Sequence, residues 1–220
     1  MFIIYKIIII YLYLSIIFFS SIGYGIFFKK LAFNTKENSN IFELFILSIP
    51  LLTFVGIFIH FFNKIDFLIV ILINGIGFVF FLIYLKKISF DNTLKILFFT
   101  KIFLFSFLFG NSLHEDFYYH QLPYLNLINS YKIIFGLVNF NDVLANPYMS
   151  WFNYSALFAL PPYKFELNFI LNYLLFFCFV AYLILEILNS KLFRVKFLTL
   201  IMLAVSLVVF SKLKDHGTDA

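Results

Sequence analysis

Residues 65–85, IDFLIVILINGIGFVFFLIYL, decide the fold of this protein because they form a long apolar run in which Asp66 is the only charged residue. A helix of about 20 apolar residues crosses a hydrocarbon core of about 30 Å. Across the chain, 63% of residues are hydrophobic and 12% are charged, whereas soluble domains are about 25% charged. We therefore predict an all-α, polytopic transmembrane helix bundle that forms one integral membrane domain.

Five further apolar runs, separated by polar turns, bring the predicted number of spans to about six. They lie at about 2–28, 41–62, 93–113, 165–188 and 197–210. Within the third span, Gly75 and Gly77 predict the close approach of another helix, and Asn74 predicts an interhelical hydrogen bond. Within the fourth span, Lys95 and Lys101 are expected to extend their amines towards one end of the helix.

The basic residues predict the orientation of the bundle, because lysine and arginine are enriched in cytoplasmic loops. If the spans alternate, ten basic residues fall on one side: Lys29, Lys30, Lys36, Lys86, Lys87, Lys95, Lys101, Lys191, Arg194 and Lys196. Six fall on the other: Lys6, Lys64, Lys132, Lys164, Lys212 and Lys214. The first side is predicted to be cytoplasmic, which places residues 114–164 outside a plasma (inner) membrane. Topology thus explains the net charge of +5, and no segment offers the solvated basic face that nucleic-acid binding requires.

The long polar segment 114–164 is predicted to be an extracytoplasmic loop with two short interfacial helices. The first is amphipathic, begins near Pro123 and ends near Gly136, which suits a helix lying on the membrane surface. The second begins at Pro147 and stops before the next span. These helices are expected to pack over the mouth of the bundle.

Within this loop, the candidate chemistry is concentrated in His114-Glu115-Asp116-Phe117-Tyr118-Tyr119-His120. Near lipid, desolvation raises the pKa of a carboxylate, which suits a general base. The alternative is a charged helix end that anchors the fourth span at the interface. The two tyrosines either contact a sugar ring or act as interfacial anchors. The histidine spacing matches no established metal signature, so we predict no metal site.

Two further groups on the same predicted side are candidates for substrate binding. Lys132 and Lys164 have the charge to contact a phosphate, although lysines near a membrane surface need no such role. The tail Asp215-His216-Gly217-Thr218-Asp219 is a second acidic cluster directly after a span. It is either part of a converging site with the first acidic cluster or an ordinary polar loop.

Several short motifs resemble a poorly characterised family of bacterial polytopic membrane proteins over about half the chain. They are Asp116-Phe117-Tyr118-Tyr119-His120-Gln121, Ile134-Phe135-Gly136-Leu137-Val138-Asn139, Asn146-Pro147-Tyr148-Met149-Ser150-Trp151, Ser155-Ala156-Leu157-Phe158 and Gly217-Thr218-Asp219. That family is in turn similar to the GT-C glycosyltransferases, which use polyprenyl-phosphate-linked sugars and place an essential acid in an extracytoplasmic loop.

The resemblance implies Asp116 as the catalytic base, with Glu115 beside it. Tyr118, Tyr119, His120, Lys132 and Asp219 would bind the substrate; the sequence names no cofactor. GT-C enzymes are much larger and carry the acid after one span, whereas four spans precede it here, so the chain is expected to be a truncated N-terminal part. Two other functions remain open: a non-catalytic transport or flippase-like subunit, and a partial protein with a structural role.

Overall fold

A computed structural model of the protein describes residues 2–33, 40–84, 93–105, 122–136, 154–158 and 170–210. These ranges contain helices and turns and no strand, so the all-α prediction is confirmed for them. The helices are α1 (Phe2–Phe33), α2 (Ile41–Phe62), α3 (Phe67–Tyr84), α4 (Thr93–Phe105), α5 (Leu122–Ser130), α6 (Ile170–Asn189) and α7 (Phe193–Phe210).

Four stretches within these helices are long and apolar enough to cross a membrane: Ile7–Phe33, Ile41–Phe62, Phe67–Tyr84 and Leu171–Asn189. They correspond to the first, second, third and fifth predicted spans, and they identify the chain as a membrane protein. The thirteen residues of α4 begin the predicted fourth span, and α7 occupies the place of the sixth. The total of about six spans stays a prediction.

Short polar side chains set where two of the spans begin. The Asn40 side-chain oxygen accepts a hydrogen bond of 3.1 Å from the Phe42 N–H at the start of α2. The Asp66 carboxylate accepts one of 3.2 Å from the Ile69 N–H at the start of α3. The first N–H groups of a helix have no partner within the helix, so these caps satisfy donors that would otherwise face lipid headgroups or water.

Helix α1 is the centre of the bundle and packs mainly against α2 and α3. The ring of Phe18 joins three helices, because its centroid lies 5.7 Å from that of Phe45 on α2 and 5.3 Å from that of Phe177 on α6. The buried side chains of α1 around Phe18 are Ile10, Leu14, Ile17 and Ile22. Since lipid is as apolar as these side chains, close packing rather than the hydrophobic effect holds the spans together.

Glycines allow the closest helix contacts, as expected where backbones meet in lipid. Gly23 on α1 faces the backbone of Gly77 on α3, and Gly25 faces the backbone of Leu44 on α2. The prediction that Gly77 lies at a close helix contact is therefore confirmed. The same prediction for Gly75 is not supported, because no atom of the described residues lies within 4 Å of the position that a side chain would take there.

One end of the bundle carries an ion pair and a further lysine contact. The Lys29 amine lies 2.9 Å from the Glu43 carboxylate, and the Lys30 amine donates a hydrogen bond of 3.2 Å to the Tyr84 hydroxyl. These contacts bring together the end of α1, the start of α2 and the end of α3. We call this end, defined by Lys29, Lys30, Glu43 and Tyr84, the lysine-rich face.

The opposite end of the bundle holds the turn between α2 and α3 together with α5. The Ile65 N–H donates a hydrogen bond of 3.1 Å to the Ile128 carbonyl of α5. Helix α5 buries Tyr124, Leu125 and Ile128 against the bundle. We call this end, defined by residues 60–66 and 122–136, the loop face.

A helix, α5, lies within the segment predicted to hold the first interfacial helix, and one apolar side of it packs on the protein. Its position at the membrane interface stays a prediction. Helix α5 ends at Ser130 rather than near Gly136. Gly136 lies in a later turn with a φ of 78°, a left-handed conformation that glycine adopts without steric cost.

Candidate functional site

Most of the sequence-predicted site residues lie outside the described ranges. They are Glu115, Asp116, Tyr118, Tyr119, His120, Lys164 and Asp219. Lys132 is described: it lies two residues after α5 on the loop face and is exposed. Its side chain is therefore free to meet a lipid headgroup or a substrate phosphate at that face.

Among the described residues, the chain between α4 and α6 is attached to the bundle by two sets of side-chain hydrogen bonds, of which the first is at His60. This histidine, only 1% exposed, lies in the last turn of α2, and its Nε2 is 3.2 Å from the Tyr131 carbonyl. Its own carbonyl accepts a hydrogen bond of 2.9 Å from the Ile133 N–H. Because Nε2 faces a carbonyl oxygen, this nitrogen carries the proton. Burial also raises the pKa of the Tyr124 hydroxyl on α5, which keeps this contact surface uncharged.

The second attachment point is Asn74, in the middle of α3. Its side-chain nitrogen donates a hydrogen bond of 2.9 Å to the Leu157 carbonyl and one of 2.8 Å to the Val70 carbonyl. Asn74 is seven residues beyond Phe67, which at 1.5 Å per residue is about 10 Å from the start of the helix. Residues 154–158 therefore reach deep between the spans.

Residues 154–158, which we call the inserted turn, are helical at 154–156 and form a turn at 157–158, and every one of them is at most 1% exposed. The Leu157 N–H donates to the Tyr154 carbonyl at 3.2 Å, and the Phe158 N–H donates to the Ser155 carbonyl at 3.0 Å. Backbone that leaves the helical conformation at membrane depth is tolerated where it is buried in protein, and Leu157 and Phe158, which follow the helical residues, meet that condition. The predicted second interfacial helix is not confirmed, because its described part is inserted into the bundle instead of lying on its surface.

Polar side chains from two spans surround the inserted turn. Ser21 of α1 and Ser48 of α2 are both 0% exposed. The Tyr154 hydroxyl lies beside the Ser48 and Ser21 side chains. Together with Asn74 they form a layer of neutral hydrogen-bonding groups, which we call the polar layer. No member of the polar layer carries a formal charge.

Sequence analysis identified Asn74 but missed the serines of the polar layer. A serine within an apolar run carries little signal, because its hydroxyl can bond the carbonyl four residues earlier in its own helix. Ser15 makes such a bond, to the Tyr11 carbonyl at 3.1 Å. What distinguishes Ser21 and Ser48 is their position beside Tyr154, more than 100 residues later in the chain, which no local pattern predicts.

A separate charged group, Lys101 of α4, lies against α1. Its amine donates a hydrogen bond of 2.9 Å to the Tyr11 carbonyl, donates another to the Ser15 hydroxyl and lies 3.9 Å from the centroid of the Tyr11 ring. The Tyr173 hydroxyl of α6 donates to the Lys101 carbonyl at 3.2 Å. Lys101 therefore does not extend to an end of its helix as expected, whereas Lys95 is exposed.

The described carboxylates do not form a catalytic or metal-binding cluster. Glu43 is paired with Lys29 on the lysine-rich face, and Asp66 caps α3 on the loop face. Among the described residues, no group of three histidine, cysteine, aspartate or glutamate side chains could hold a metal ion. The described part of the chain therefore supplies anchoring and polar contacts, and the acidic clusters at 114–120 and 215–219 lie outside it.

These features define a helical membrane protein whose long polar segment is built partly into the bundle. No protein-family model matches the chain, and no curated protein or solved structure shows a detectable match to it.

Proposed function

We propose that this protein is a GT-C-like membrane glycosyltransferase that uses a polyprenyl-phosphate-linked sugar in envelope glycan synthesis. The observation that supports a loop-centred enzyme is the double attachment of the segment between α4 and α6. His60 and Ile65 bind the α5 region, and Asn74 binds the turn at 154–158. Catalytic groups need rigid support, and Asp116 lies six residues before the anchored helix α5. The reaction class itself comes from the motif resemblance.

In the proposed reaction, Asp116 accepts the proton of an acceptor hydroxyl while that oxygen attacks the anomeric carbon of the sugar. The bond from the sugar to phosphate breaks, and the polyprenyl phosphate leaves with the electron pair. Glu115 is the neighbouring carboxylate, Tyr118, Tyr119 and His120 orient the sugar, and Lys132 contacts the phosphate. Asp219 would approach the same substrate from the tail.

The proposal predicts that Asp116→Asn lowers transfer by at least about 100-fold, since a positioned general base contributes about 10²- to 10⁴-fold. The purified full chain would be reconstituted with radiolabelled polyprenyl-phosphate mannose or glucose and a cell-envelope acceptor fraction, and incorporated label would be counted. The matched control is Asp66→Asn, which keeps an oxygen to cap α3 and is expected to retain activity. Full activity of Asp116→Asn, or no transfer by the wild type, would contradict the proposal.

The proposal also requires the loop face to be extracytoplasmic, where lipid-linked sugars are used. Support comes from the lysine-rich face at the opposite end, because basic residues favour the cytoplasm. Ser130 is exposed on the loop face, and Leu192, 67% exposed, lies between α6 and α7 on the other side. In a Cys178→Ala background, Ser130→Cys should react with an impermeant maleimide in intact cells, and Leu192→Cys only after permeabilisation. The reverse pattern would exclude the glycosyltransferase.

A second candidate function is transport, and the inserted turn is the observation that favours it. Transporters place interrupted backbone and polar groups near the middle of the bilayer, which is where residues 154–158 meet Asn74. This function predicts that proteoliposomes containing the protein move a fluorescent polyprenyl phosphate between leaflets without an acceptor. Movement that persists in Asp116→Asn would favour transport over glycosyl transfer.

A further inference from the structure

Lys101 places a positive charge inside the bundle, and no described carboxylate lies within ion-pair distance of it. Its amine is bound by the neutral Tyr11 carbonyl and Ser15 hydroxyl and lies over the Tyr11 ring. A charged side chain within the hydrocarbon is costly unless it is paired or reaches a polar group. The described residues solvate the amine but leave its charge uncompensated.

The charge borders an open groove between α1, α4 and α6. The groove has a volume of about 440 Å³ and is lined by Tyr11, Ser15, Phe19, Phe98, Lys101 and Phe177. Phe98 is 55% exposed on the outer side of α4, so the groove opens towards the surroundings of the bundle. Apart from the Lys101 amine and the Ser15 hydroxyl, the lining of the groove is aromatic or aliphatic. The amine suits the charged headgroup of an amphiphile, and the apolar walls suit its hydrocarbon tail.

The depth of the amine fits a lipid headgroup. The apolar stretch of α1 begins at Ile7, and Tyr11 lies four residues further, or about 6 Å along the helix. The N-terminal end of α1 is opposite the lysine-rich face and therefore on the side of the loop face. A headgroup phosphate drawn inward by one helical turn would reach Lys101, and its acyl chains would lie along Phe19 and Phe98.

We propose that this groove binds one anionic phospholipid of the bilayer, whose phosphate pairs with the Lys101 amine. The lipid supplies the negative charge that the described residues do not provide, and the aromatic walls hold its acyl chains. The bound lipid ties α4 to α1 through the Lys101 amine.

The test is native mass spectrometry of the purified full chain with phosphatidylglycerol, phosphatidylcholine and a polyprenyl phosphate added separately. A charge-assisted contact with phosphate should make phosphatidylglycerol bind about tenfold more tightly than zwitterionic phosphatidylcholine. Lys101→Met should remove this preference. Lys95→Met removes a lysine from the exposed side of the same helix and should keep it.

Lys101→Met loses hydrogen bonds as well as charge, so a measurement on the unaltered protein is also needed. A photoactivatable phosphatidylglycerol is expected to cross-link to the peptide that contains Phe98 and Lys101. Equal binding of the two phospholipids, an unchanged preference in Lys101→Met, or cross-links spread evenly over the spans would overturn the proposal. Displacement of phosphatidylglycerol by an equal amount of polyprenyl phosphate would also overturn it, and would instead connect this groove to the sugar donor.

Discussion

Gly23→Ala is expected to lower the free energy of unfolding by about 3 kcal/mol or more, because the added methyl group has no space. The new carbon would overlap the Gly77 carbonyl oxygen and lie 2.7 Å from the Phe81 backbone nitrogen. Overfilling a packed site with one methyl group costs about 1–3 kcal/mol when side chains can move aside. Here the obstacle is the backbone of α3, so α1 and α3 must separate to relieve the contact.

The matched control for this substitution is Gly75→Ala, which lies on α3, the helix whose backbone obstructs Gly23→Ala. In the described part of the chain, nothing lies within 4 Å of its added methyl group, and alanine favours a helix over glycine by about 1 kcal/mol. The two identical chemical changes should therefore shift stability in opposite directions. Thermal unfolding in detergent, followed by circular dichroism, would compare them with the wild type. Equal unfolding temperatures for Gly23→Ala and Gly75→Ala would show that the α1–α3 contact is not as close as described.

The two glycines of α3, Gly75 and Gly77, show how much of the bundle can be predicted from the sequence alone. Hydropathy identified the four long apolar helices, since run length and composition are local properties. Which glycine meets another helix depends on the rotation of α3 about its axis, and Gly75 and Gly77 are too near in sequence for hydropathy to distinguish them. The answer requires the position of α1, which packs against α3 from more than 50 residues away in the chain.

In the candidate site, too, local sequence patterns predicted secondary structure but not the contacts between residues far apart in the chain. The amphipathic pattern of 122–133 predicted a helix, and α5 lies there. Its buried residues, Tyr124, Leu125 and Ile128, follow the helical repeat on one side. The pattern after Pro147 predicted a surface helix, yet residues 154–158 lie inside the bundle, since amphipathicity does not distinguish a membrane surface from a polar layer between spans. Lys101 was assigned to a helix end on the usual behaviour of lysine, and its bonds to Tyr11 and Ser15 come from a helix 86–90 residues earlier.

Asn74→Leu is expected to release the inserted turn, with an increase of about tenfold or more in the accessibility of residues 154–158. Leucine is similar in size to asparagine but donates no hydrogen bond, so the Leu157 carbonyl loses the partner now 2.9 Å away. An unpaired buried polar group costs about 1–3 kcal/mol, and about 1.4 kcal/mol corresponds to a tenfold change in an equilibrium. Loss of this hydrogen bond destabilises the attachment of the inserted turn and leaves α3 intact, because the α3 backbone keeps its own helical hydrogen bonds.

The measurement is the rate at which a cysteine at position 156 reacts with a maleimide in detergent, in a Cys178→Ala background. Ala156 is 0% exposed, so Ala156→Cys should react slowly until Asn74→Leu opens the turn. The control is Asn126→Leu, the same change at an exposed position of α5, which should leave the rate unchanged. Equal rates with and without Asn74→Leu would mean that other contacts hold the turn. A faster rate accompanied by leaflet-to-leaflet lipid movement would instead make the polar layer part of a transport path, because opening this turn would then open a route between the spans.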